Sequence, residues 1–213
     1  MSVFLVRNRC NICHVSSQEP LGSSKRYMNT NVPNIIVVTG PPGSGKTTLA
    51  HKLSKEIGCP AICRDEIKAG YVITQNKSHA ELGDGVNAKI YDVFFEIVNA
   101  YLRYEVTVVI DAAFQHKVWA PRLNEIKNVA KLKLLICNVD PLVAFERRQQ
   151  RLLANPNREK FHGEKMKVAL SNTNAPQIYD PPFLDVPTLR VNTMNQYDPG
   201  FETILHFITA DSR

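Results

Sequence analysis

The stretch GPPGSGKTT, Gly40 to Thr48, decides how the rest of the chain is read. It meets the pattern G-x-x-x-x-G-K-[ST] at every fixed position. Before it, NIIVVTG (residues 34–40) is a β-branched run ending in glycine, as expected of a strand buried on both faces. After it, Leu49, Leu53 and Ile57 recur at helical spacing and Gly58 closes the pattern as a C-cap. A glycine-rich turn between a strand and a helix aims backbone N–H groups inward, and the helix adds its positive dipole end. The expectation is a nucleoside-triphosphate site formed by Gly40, Pro41, Pro42, Gly43, Ser44, Gly45, Lys46, Thr47 and Thr48. Lys46 would reach the β and γ phosphates, and the Thr47 hydroxyl would ligate Mg²⁺, which makes ATP and Mg²⁺ the expected cofactors.

Outward from this loop, short apolar runs alternate with helical stripes. AIC (61–63), VTVVID (106–111), KLLICNV (133–139) and TLRVN (188–192) read as further strands. Ile90, Phe94, Ile97, Val98 and Tyr101 form one helical stripe. Further helices are expected through Leu123 and Ile126, from Pro141 to about Leu153, and from about Phe201 to Ile208. Such alternation implies an α/β fold with a mostly parallel sheet covered by helices on both faces, and together with the phosphate loop the expectation is a P-loop NTPase fold of five strands with a helical lid.

The chain has 213 residues, enough for one sizeable core, with 44% hydrophobic and 22% charged residues. No apolar run approaches the ~18 residues that span a bilayer. Of the net charge of +6, residues 1–32 carry half through Arg7, Arg9, Lys25 and Arg26 against Glu19. The body is too weakly basic to coat extended nucleic acid. Residues 1–32 are polar and punctuated by Pro, Gly, Ser and Asn, so they read as a disordered extension to a domain over 33–213; their basic, Ser-rich composition also permits a transit peptide, and Met28 a later start. CNICH, Cys10 to His14, matches a haem-attachment or half-zinc pattern, but a second ligand pair is missing. Cys59, Cys63 and Cys137 sit in or beside apolar runs, which fits reduced thiols and a cytoplasmic location.

What is done with the triphosphate follows from what flanks the loop. The one Asn-Lys pair, Asn76-Lys77, is followed by Ser78 and His79, so a guanine-reading N-K-x-D is missing. Asp111, at a strand end, is followed by Ala112 and Ala113 where a hydrolytic ATPase would place a water-activating Glu. Asp111 is expected to hold Mg²⁺ or orient a substrate. In ICRDEIKAG (62–70), residues just past a strand face the same crevice as the phosphate loop. Asp65 is the expected general base, with Arg64 and Lys68 holding an anionic part of the acceptor. The competing expectation is that Asp65 only N-caps a helix beginning at Glu66. Downstream, Arg147 and Arg151 are four apart on one helical face, ahead of a basic loop with Arg158, Lys160, His162, Lys165 and Lys167. This suits a lid that brings charge over the γ phosphate and excludes water.

Taken in order, GPPGSGKTT, CRDEIK, VVIDAAF and VDPLVAFERRQQR resemble the P-loop kinases that include 5′-hydroxyl polynucleotide kinases, zeta-toxin-like kinases and chloramphenicol phosphotransferase. Relatives of this group carry a generic AAA-type ATP-binding label. The resemblance covers about residues 33–210. It implies transfer of the γ phosphate of ATP to a hydroxyl, with Asp65 as base and Lys68 where those kinases prefer Arg. The acceptor is left open between a small molecule, a nucleotide sugar and a nucleic-acid 5′ end. The alternative is an ATP-hydrolysing switch with no acceptor. Two further stretches are weighed: VNTMNQYDP (191–199) as backbone lining of an adenine pocket or a plain loop, and Phe114 with Trp119 as acceptor border or core.

Overall fold

The computed structural model describes residues 32–83, 85–163 and 179–210. Calls on CNICH, Met28, Lys165 and Lys167 therefore lie outside the described residues. Five strands form one parallel sheet: β1 (Asn34–Thr39), β2 (Ala61–Cys63), β3 (Val108–Asp111), β4 (Lys131–Asn138) and β5 (Thr188–Asn192), in the order β2-β3-β1-β4-β5. This order puts the C-terminal end of β1 between β3 and β4, where consecutive connections depart to opposite sides of the sheet. A crevice opens at such a point.

Alternation along β1 explains the two cores. Ile35 and Val37 face a cluster with Phe94, Val98, Trp119 and Leu123, supplied by α4 (Gly85–Arg103) and α5 (His116–Ile126). Ile36 and Val38 face Leu49, Leu53, Ile204 and Ile208, from α1 (Lys46–Ile57) and α8 (Phe201–Thr209). Every residue from Ile35 to Val38 is at most 1% exposed, as a strand covered on both faces requires. Burying each such side chain stabilises the fold by about 1.5–3 kcal/mol, so β1 is a rigid base for the loop that follows.

α6 (Pro141–Ala154) begins as its residues foretell: the Asp140 carboxylate accepts from the Leu142 amide at 2.8 Å, and Pro141 occupies the first turn. Two expectations need correction. The stretch after α6, expected as a basic loop, contains the helix α7 (Asn157–His162), which packs against α2 (Arg64–Gln75) and α3 (His79–Leu82). The helix after β2 starts at Arg64, not Glu66; Cys63 occupies the N-cap position and Asp65 falls within the first turn. α3 was not foreseen. Its Ser78 and Glu81 form a reciprocal capping box, legible as S-x-x-E but too short to show periodicity. Among the described residues no helix is long and apolar enough to cross a membrane.

Candidate active site

The phosphate loop lies where β1 ends. Gly43 and Gly45 adopt φ of +91° and +76°, and Gly45 leads directly into α1. Lys46, the first residue of α1, is 7% exposed, so its ammonium is held within the crevice. The Ser44 amide donates to the Pro41 carbonyl at 3.1 Å, while the Ser44 carbonyl accepts from the Thr193 hydroxyl at 2.7 Å. The loop is thus tied to the end of β5 by a residue far away in sequence.

Strand order sorts the remaining residues into two flanks. On the β4–β5 side, a cavity of about 810 Å³ is bordered by Gly43, Thr48, Lys52, Thr193, Asn195 and Tyr197. Its size suits a nucleoside. Lys52 Nζ lies 3.8 Å from the centroid of the Phe201 ring and 5.4 Å from that of Tyr197, closing the outer edge. The stretch weighed as adenine-pocket lining or plain loop is thus a cavity wall. Arg147 and Arg151 both border the same cavity. The Arg147 guanidinium, however, donates to the carbonyls of Thr193 and Met194. It clamps the loop after β5, which borders the same cavity as Gly43 and Gly45 of the phosphate loop.

On the β3–β2 side stand the acids. Asp111 is 2% exposed and accepts a hydrogen bond from the Thr47 hydroxyl at 2.6 Å through Oδ2. Its Oδ1 is buried without a partner among the described residues. Burial pushes the Asp111 carboxyl up to about 6; Asp65 and Glu66 add to this, while Lys46 and the Thr47 hydroxyl oppose it. A hydroxyl and an underused carboxylate oxygen side by side form an oxygen donor set, which fits a hard cation such as Mg²⁺.

Asp65 is held by its neighbour: Arg64 Nη1 donates to Asp65 Oδ1 at 3.0 Å, and Nη2 donates to Asn87 Oδ1 at 2.8 Å. Burial pushes the Asp65 carboxyl up, but the charges of Lys46, Arg64 and His162 together with the Arg64 hydrogen bond outweigh it, and the net shift is downward. Asp65 is therefore ionised at neutral pH. The cap-only expectation fails, because no side-chain cap bond forms at this helix start. Lys68, one turn on, is 4% exposed, whereas the Asp65 side chain is half-exposed at the crevice. Glu66 instead meets His51 of α1 at 2.6 Å.

Tyr179 was missed altogether. Its hydroxyl donates to the Phe114 carbonyl at 3.0 Å, shares a short hydrogen bond with Thr39, and accepts from the Gly40 amide. Burial pushes this phenol up to about 12. It braces the start of the phosphate loop, and nothing in IYDPP announces that role. Trp119 is core: fully buried, it stacks edge-on with Phe94, Phe95 and Phe114 and donates from its ring N–H to the Thr39 hydroxyl at 3.1 Å.

A family profile described as AAA domain matches residues 35–176, about two thirds of the chain. The chain belongs to the AAA domain family. The match spans the AAA domain's phosphate loop, the Asp65 and Asp111 flank and α6. A search of the curated proteins finds none that matches. Among solved structures, a candidate kinase from Chloroflexus aurantiacus is similar at 20% identity and a TM-score of 0.71, over 83% of this chain and 97% of that one. The APS kinase of Mycobacterium tuberculosis, solved with AMPPNP and APS, aligns at 14% identity and a TM-score of 0.58, over 84% and 99%. A sugar kinase from Janibacter sp. aligns at 17% and 0.51, over 84% and 96%. At these identities the likeness establishes the fold: this AAA domain is a P-loop NTPase with the architecture found in kinases, as its motifs suggested.

Proposed function

We propose that the protein is an ATP-dependent kinase that transfers the γ phosphate to a hydroxyl of an acceptor: a small molecule, a nucleotide sugar or a nucleic-acid 5′ end. One observation carries this reading. An ionised carboxylate, Asp65, is held by Arg64 across the crevice from the base cavity, near Lys46, while Asp111 has alanines where a hydrolase would place its base. The base and ribose occupy the cavity between Arg147 and Tyr197. The loop amides and Lys46 hold the phosphates and neutralise charge that develops during transfer. Asp65 accepts the proton of the attacking hydroxyl. Arg64 and Lys68 attract an anionic portion of the acceptor, and Arg151 lies on the lid side. Thr47 and Asp111 would hold Mg²⁺, which when bound neutralises charge on the phosphates. Residues 33–213 suffice for this activity, and 1–32 are dispensable to it. Three free cysteines, Cys59, Cys63 and Cys137, suit a cytoplasmic setting.

The test is a γ-labelled phosphate-transfer screen across nucleic-acid 5′ ends, nucleosides, sugars, antibiotics and nucleotide sugars, comparing wild type with Asp65→Asn. General-base loss lowers transfer about 10²–10⁴-fold while ATP binding persists. Brisk ATP hydrolysis in both proteins with no labelled acceptor would overturn the kinase reading in favour of an ATP-hydrolysing switch.

A further inference from the structure

Cys63 ends β2 in register with Asp111 of β3, so it leaves the sheet on the face covered by α1. There it meets two residues that the proposed transfer does not use. His51 Nε2, on α1, lies 2.6 Å from Glu66 Oε1 and 3.6 Å from Cys63 Sγ. All three donor atoms fall within 4.8 Å of one another. They come from three elements: α1, the end of β2 and the first turns of α2.

We propose that His51, Cys63 and Glu66 form a binding site for a borderline divalent transition ion of the Zn²⁺ class, separate from the Thr47 and Asp111 pair. The donor types choose the ion: a thiolate, an imidazole and a carboxylate favour Zn²⁺ or Co²⁺ over Mg²⁺, which prefers oxygen and water. The geometry is close to what such an ion needs. Bonds of about 2.0–2.3 Å in a tetrahedral shell separate neighbouring ligand atoms by about 3.4–3.6 Å. The Cys63–His51 separation of 3.6 Å already meets this. The His51–Glu66 pair must open from 2.6 Å by about 0.8 Å, which exchanges one hydrogen bond for two metal bonds. Both side chains are about half exposed, at 49% and 57%, so they can swing outward without disturbing the core. The same exposure gives the ion a path in and leaves the fourth vertex to a water. Binding displaces the thiol proton of Cys63 to solvent, as metal capture by cysteine requires. A bound ion would staple α1, which carries Lys46 and Thr47, to the turn that presents Asp65.

Cobalt reads this site selectively, because only a thiolate ligand gives a near-ultraviolet sulfur-to-Co²⁺ charge-transfer band. Reduced full-length protein without nucleotide is titrated with Co²⁺ in a Cys10→Ser, Cys13→Ser background, which removes the CNICH thiols. The band should saturate at one equivalent, vanish when Cys63→Ser is added, and need at least tenfold more Co²⁺ in His51→Ala or Glu66→Gln. Zn²⁺ should bleach it and raise Tm in the background protein, but not once Cys63→Ser is added. Should Cys63→Ser not fold, the exposed positions His51 and Glu66 carry the comparison alone. A band that survives loss of His51 and Glu66 at unchanged affinity, or equal Zn²⁺ affinity with and without Cys63, would overturn the site.

Discussion

Gly43→Ala separates two costs that usually arrive together. At Gly43 φ is +91°, and a β-carbon would sit 2.4 Å from the Ala144 carbonyl oxygen and 3.0 Å from the Ala144 carbonyl carbon and Cα. These are backbone atoms of α6, so no side-chain rotation can relieve the overlap. At Gly45 φ is +76°, but the nearest atom a β-carbon would meet is the Thr193 Cβ at 3.9 Å. Alanine at 45 therefore bears only the left-handed backbone term, about 1–2 kcal/mol. Alanine at 43 bears the same term plus an overpacking cost of about 1–3 kcal/mol, for a total of about 2–5 kcal/mol. The entropy that alanine removes from the unfolded chain is shared by both variants and cancels in the comparison. Urea unfolding of the nucleotide-free chain measures the difference, followed by fluorescence of Trp119, the sole tryptophan and fully buried. Gly43→Ala should lie about 1–3 kcal/mol below Gly45→Ala. It should also weaken ATP binding, because relieving the overlap moves the loop amides. Stabilities of the two variants within about 0.5 kcal/mol of each other would refute the close approach of the loop to α6.

Two further outcomes follow from the flanks of the crevice. The Asp65 carboxyl is held below its ordinary value, so its contribution to stability is present above the unfolded pKa of about 3.9 and is lost as pH falls through the folded value. The stability difference between wild type and Asp65→Asn should be level above about pH 5 and shift against the wild type below about pH 4 by urea unfolding; a difference flat across the acid range would contradict the shift. Arg147→Ala removes two charge-assisted bonds to the loop carbonyls of Thr193 and Met194. In a partly solvated setting this should cost about 1–2 kcal/mol, raising KM for ATP about 5–30-fold with kcat within about threefold. Collapse of kcat at unchanged KM would place Arg147 on the transferring phosphoryl group, as the sequence suggested.

Much of the site is local in sequence, and that part was legible. The phosphate loop needs a strand, a glycine-rich turn and a helix in succession, and residues 34–57 encode all three by composition and period alone. Asp65 and Asp111 were found by a single rule, that residues at the C-terminal ends of parallel strands face the crevice. The sequence did not show side-chain partners beyond one turn of helix. Spacing placed Arg147 and Arg151 on one face, yet only the packing of β5 beside β4 turned Arg147 into the carbonyls at 193 and 194. Tyr179 and Thr193 lie 139 and 149 residues from Gly40 and Ser44, and no periodicity connects such distant pairs to the loop that they brace.

By itself, then, the sequence determined the five strands, helices α1, α4, α5, α6 and α8 and a triphosphate loop, because backbone conformation and strand or helix burial are set by near neighbours. Only the tertiary structure decided which flank each charged side chain serves and where His51, Cys63 and Glu66 meet. Those outcomes depend on strand order, β2-β3-β1-β4-β5, which brings together residues that the chain keeps apart.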